Sequence, residues 1–140
     1  MIEQDYLMRL IAQLIRAILH ALALAGRRAE DVAEDLVSAD GEGLEPPAAN
    51  PDPLGAADLL EVAFGECIDM DASTIFLLAP ESFAGVLHIS GVDAQLVPHL
   101  VRCLELEADF LDQGGMAAKA TLRRGQADAL ALVYGVEARN

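Results

Sequence analysis

Tryptophan is absent from this chain of 140 residues, tyrosine and phenylalanine number two and four, and Lys119 is the one lysine. So few aromatics beside so many Leu and Ala exclude the Val-, Thr- and Tyr-rich composition of a β-sandwich and predict an all-α fold. Cysteine is scarce as well. Cys67 and Cys103 stand 36 residues apart and form neither a CxxC pair nor the dense framework of a small secreted scaffold. A reduced, cytoplasmic setting is the expectation. Positive charge is the third scarcity: nine Lys and Arg face 23 Asp and Glu, for a net charge of −14. Nucleic-acid affinity rests on cations that neutralise phosphates, so DNA and RNA are not expected as ligands.

The few basic residues are also segregated. From Ala29 through Val101 there is no Lys or Arg, while 15 of the 23 acids lie there. Such asymmetry can guide docking within the chain or select a partner; the plainer reading is a solvated acidic face that keeps the protein soluble. Motifs of catalysis are missing too. The sequence contains no GxSxG, HExxH, GxGxxG or phosphate-binding glycine loop, and Ser38, Ser73, Ser82 and Ser90 have no His set beside them by a recognised motif. Asp69 and Asp71 resemble the start of a calcium loop, but Thr74 stands where that loop needs Gly and Pro80 where it needs Glu. Helix capping by Asp71 explains the pair better. No enzymatic activity and no cofactor are expected.

What is present begins with EQDYLMRLIAQLIRAILHALALAG, Glu3 to Gly26. At 100° per residue, Leu7, Leu10, Ile11, Leu14, Ile15, Ile18, Leu19 and Leu22 share one face, and Arg9, Gln13, Arg16 and His20 the opposite one. This predicts a long amphipathic helix from Ile2 to about Ala25, stopped by Gly26. Polar residues interrupt the segment every few positions, so a membrane span is not expected. Glu3 and Asp5 precede the apolar run, where a signal peptide would carry positive charge. Two arginines attached to an acidic body also suit a membrane surface poorly. Burying eight large aliphatic side chains is worth roughly 1.5 to 3 kcal/mol each before entropy, so the helix should dock, on this chain or on a second copy.

Residues Ile2 to Ile11, I-E-Q-D-Y-L-M-R-L-I, resemble the opening of an uncharacterised family of short bacterial helical proteins, a domain of unknown function. The resemblance covers roughly the first 15 residues. It implies a bacterial, helical, cytoplasmic protein and carries over no catalytic residue.

One core is expected for a chain of this length, in a single domain over 1–140. A short helix is predicted over R-R-A-E-D-V-A-E-D-L-V, followed by a Pro-, Gly- and acid-rich linker at 40–53. Leu54 to Ile68 should form a helix that buries Leu59, Leu60, Ala63, Phe64, Cys67 and Ile68. Asp71 should cap a short helix, and Pro80 should open another that ends near Gly91. A long helix should reach Gln113, with Asp93 as its cap and Pro98 forcing a late or bent start. Gly114 and Gly115 break the chain before a last helix from about Met116 to Tyr134. About six or seven helices result.

Offset by 36 residues, Leu60, Phe64, Cys67 and Ile68 align with Leu96, Leu100, Cys103 and Leu104, close to the period of helical-hairpin repeats. The final hairpin resembles a degenerate tetratricopeptide unit, with Arg124 where a large apolar residue is usual. Stacked hairpins and an irregular bundle both remain open.

The sharpest constellation is His99, Cys103 and Glu107, four apart on the apolar side of one helix. Neutral His and thiolate Cys ligate zinc, and an i, i+4 pair can reach one ion, with His88 or Cys67 available to complete the set. The plainer reading keeps His99 and Cys103 as core residues and lets Glu107 reach solvent or pair with Lys119 or Arg123. His20 should be solvated. The overall expectation is a non-enzymatic module for protein–protein interaction, with Arg9, Arg16, His99 and Glu107 as interaction candidates. The alternatives are self-association through the first helix, or a small-ligand or metal site at His99, Cys103 and Glu107.

Overall fold

The computed structural model describes residues 2–27 and 48–136, and these contain six helices and no strand. They are α1 (Ile2–Leu24), α2 (Pro53–Ile68), α3 (Ala72–Ile75), α4 (Pro80–Ile89), α5 (Val97–Gln113) and α6 (Ala117–Tyr134). The all-α expectation is met. The short helix expected just after Arg27 lies outside the described residues, as does most of the expected linker.

Local chemistry sets the helix boundaries. Asp52 caps α2 by accepting from the Gly55 amide at 3.0 Å, with Pro53 in the first turn. Asp71 caps α3 through the Ser73 amide at 3.1 Å. Pro98 falls in the first turn of α5, so the helix begins late; Asp93 lies further back and accepts from Gln95 N–H at 2.8 Å. α1 ends in a paired carbonyl motif, where Gly26 N–H donates to Ala23 O (3.0 Å) and Arg27 N–H to Leu22 O (2.8 Å). The same two-bond ending recurs at Asp69, Gly91, Gly115 and Gly135, all with positive φ. Gly26 is required twice over: its φ is +79°, and a Cβ there would stand 2.7 Å from Pro51 Cγ. The returning chain also closes the end of α1, since Ala48 and Asp52 amides donate to the Ala23 and Leu24 carbonyls.

α1 and α2 pair antiparallel, with Leu10 beside Cys67 at one end and Leu24 beside Asp52 at the other. α2 and α5 are antiparallel as well: Leu54 lies against Gly114, and the Cys103 thiol reaches Leu60 O. Gly114 and Gly115 then fold α6 back along α5. α4 runs parallel to α6, with Pro80 beside Gly125 and the Tyr134 hydroxyl donating to Val92 O at 2.8 Å. The order in space is therefore α1, α2, α5, α6, α4. Consecutive stacked hairpins would not put α4 on the far side of α6. α5 lies against α1, α2 and α6, and ten of its residues are buried.

The core takes Leu14, Ile18 and Leu22 from α1 and Leu60 and Phe64 from α2. Phe64, Phe76 and Phe83 cluster at its far end, with ring centroids 5.0 to 5.8 Å apart. Such pairs add roughly 0.5 to 1.5 kcal/mol each beyond burial. The segment Asp5–Leu24 is long and apolar enough to cross a membrane by length and composition, although polar residues interrupt it. In the fold its inner face packs on α2 and α5.

Candidate functional site

The His99, Cys103 and Glu107 row is divided among three environments. His99, near the start of α5, is half-buried, and burial lowers its pKa, favouring the neutral ring. Cys103 is wholly buried; its thiol lies 3.7 Å from Leu60 O, and burial pushes its pKa well above the ordinary thiol value. Glu107 is also wholly buried, so it belongs to the interior and not to an interaction face. Among the described residues, no three His, Cys, Asp or Glu side chains gather to hold a metal ion. Cys67 lies by Leu10 O with its pKa pushed up to about 11 by burial, and His88 meets the Tyr134 ring edge-on at 5.4 Å.

Glu107 is held by Arg123 of α6. Arg123 Nε donates to Glu107 Oε2 at 2.8 Å, its Nη1 to Phe76 O (3.0 Å) and Gln126 Oε1 (3.1 Å), and its Nη2 reaches Glu61 Oε2 at 3.5 Å. The guanidinium also stacks 4.4 Å over the Phe76 ring. Gln126 completes the set, donating to Phe76 O at 3.1 Å and Leu78 O at 2.9 Å. One cluster thus joins α2, the segment after α3, α5 and α6. Two carboxylates share one guanidinium, and Glu107 Oε1 is buried with no hydrogen-bond partner among the described residues. Burial pushes the Glu107 carboxyl up to about 8; Arg123 holds it back and Glu61 adds to the rise. Burial thus favours the protonated carboxyl, and the Arg123 guanidinium opposes it.

Sequence reasoning named Arg123 only as one possible partner of Glu107 and overlooked Glu61 and Gln126. A signal existed. Arg123 stands on the same α6 stripe as buried Ala120, Ala127 and Leu130, at three- and four-residue spacing. Arg124, which drew attention instead, is exposed and pairs with Asp109 (3.0 Å) and Asp112 (2.7 Å).

Above this cluster the outer face of α2 is open. Glu61, 26% exposed, lines a cleft of about 700 Å³ together with Asp58, Val62, Glu66, Met70 and Asp71. On the other side of Val62 a groove of about 690 Å³ runs between α1 and α2, floored by Ala17, Leu59 and Ala63. Arg16 and His20 edge it on α1, Asp58 and Glu66 on α2. Arg9 is exposed further along α1. A third cleft, of about 530 Å³, lies where Tyr6, Leu10, Cys67, Ile68 and Val92 meet. No protein-family model, curated protein or solved structure matches this chain.

Proposed function

We propose that this protein is a non-enzymatic helical interaction module of the cytoplasm that binds a protein chain through the outer face of α1 and α2. The observation that carries the reading is the pair of open clefts on either side of Val62, which is itself 58% exposed. Their walls mix Val, Leu, Ala and Met with acids, as an interface core and its polar rim do. The buried polar groups are engaged in holding helices together: Arg123 and Gln126 tie α6 to the backbone after α3, and Glu107 ties α5 to α6. The antiparallel α1–α2 and α5–α6 pairs would provide the rigid support. Two free thiols suit a reducing compartment.

The test is capture of tagged protein from extract of the cells that make it, followed by hydrogen exchange on the purified complex. Protection is expected over Gly55–Asp69 and the exposed side of α1. Protein that stays partner-free and monomeric, or a complex protected only over α4 and α6, would sink the reading.

A further inference from the structure

The groove between α1 and α2 has edges of opposite charge. Arg16 stands on the α1 edge, and Asp58 and Glu66 stand on the α2 edge, all exposed. None of the three has an ion-pair partner among the described residues. Between the edges the floor is apolar, and Val62 stands on the α2 edge between Asp58 and Glu66. A basic partner segment would meet like charge along α1, and an acidic one would meet it along α2. A surface with a cation on one edge and carboxylates on the parallel edge is complementary to itself.

We infer that this face is an isologous interface between two copies of the chain. This rests on the interaction-module reading and names the partner. A two-fold axis along the groove lays α1 of each copy on α2 of the other, because the two helices run side by side. Arg16 of one copy then lies over the Asp58–Glu66 edge of the other, and the contact occurs twice. Each Val62 then packs against α1 of the other copy, which removes the most exposed aliphatic side chain of α2 from water. The result is a four-helix layer of two α1 and two α2. Two bodies of net charge −14 repel each other, so the paired edges supply the local attraction and fix the register.

The experiment is sedimentation velocity over a concentration series, on full-length wild type, on Arg16→Glu, on Asp58→Lys/Glu66→Lys, and on an equal mixture of the two variants. All three positions are on the surface, and circular dichroism checks that each variant keeps its helices. Wild type is expected to dimerise, and each variant alone to dissociate at least tenfold more readily, because like charges then face each other at both contacts. The mixture is expected to recover the dimer. In a mixed pair one contact sets the introduced glutamate against the two introduced lysines, with the signs reversed, and the other keeps the native Arg16 over Asp58 and Glu66. Val62→Ser, which changes no charge, should also weaken the dimer. A wild type that stays monomeric at the highest concentration overturns the inference, as does a dimer indifferent to these changes or a mixture that fails to reassociate. In each of these cases the module reading still stands or falls by hydrogen exchange on the captured complex.

Discussion

Arg123 Nε and Glu107 Oε2 meet at 2.8 Å with both side chains shut away from solvent, one on α6 and the other on α5. Sixteen residues of chain separate them, and the α5–α6 turn at Gly114–Gly115 brings them together. A buried pair of this kind contributes little net stability over a well-packed apolar pair, but losing one partner is expensive.

Arg123→Met should therefore destabilise the protein by about 3 kcal/mol, because it strips Glu107 of its partner and leaves the Phe76 carbonyl with one donor fewer. Urea denaturation would show a lower midpoint. The double variant Arg123→Met/Glu107→Leu should recover much of the loss; if it is worse than the sum of the single variants, the pair is not what couples these positions.

Glu107→Gln tests the proton. The folded-state carboxyl is raised from 4.5 to about 8, so Glu107 is tolerated fully at pH below its unfolded value. Its stability contribution is then lost as pH rises toward and through about 8. Gln cannot ionise and offers an N–H₂ group where the proton would be. The stability of Glu107→Gln relative to wild type should increase steadily from pH 5 to pH 8 and then level off. A gap that stays constant with pH would show that Glu107 is ionised throughout.

Two glycines should respond to alanine in opposite directions. Gly26→Ala forces a side chain into the left-handed region and against Pro51, and should cost about 1 to 2 kcal/mol. Gly85, inside α4, has nothing within 4 Å of an added Cβ, and Gly85→Ala should stabilise by about 0.5 to 1 kcal/mol. Thermal melting of the two variants reads both effects.

The thiols should be inert in the native protein. With its pKa pushed to about 11, Cys67 at pH 8 is thiolate in roughly one molecule per thousand, and thiolate is the reactive form. Cys103 is wholly buried, and burial raises its thiol well above the ordinary value. An aromatic disulfide reagent should label neither residue within minutes, then both on unfolding in urea. Prompt labelling of Cys103 in the native protein would contradict the burial of α2 against α5, and of Cys67 the packing of α1 on α2.

Much of the helical layout is legible in the sequence because it depends on near neighbours. The 3.6-residue period of α1 identifies Leu7, Leu14, Ile18, Leu19 and Leu22, all buried, while Leu10, Ile11 and Ile15 sit at the margin of the core. Asp52, Asp71, Pro80 and Pro98 act within a few residues of themselves, so their boundaries can be read locally. Ala21, Ala56 and Ala57 are harder to foresee, since an alanine is buried only when a neighbouring helix comes close. The seat of α4 on α6 is settled by Pro80 against Gly125 and by Tyr134 reaching Val92, contacts more than 40 residues apart in sequence. The site was partly visible for the same reason: a carboxylate on an apolar stripe marks Glu107 as unusual, but which cation answers it, and that Glu61 shares it, are facts of packing.

Because α5 comes after α4 in the chain yet lies between α2 and α6 in space, the protein cannot be completed in the order in which it is synthesised. While α6 is still unmade, α4 lacks its main neighbour and Glu107 lacks Arg123, so an early chain leaves the α6-facing side of α4 uncovered and a carboxyl unmatched in its unfinished core. Those are the conditions under which a nascent chain is most exposed to aggregation. Arg123 thus couples two late events: the same side chain that pairs with Glu107 on α5 also holds the Phe76 carbonyl ahead of α4, so a chain ending in the α5–α6 turn would leave both contacts unmade.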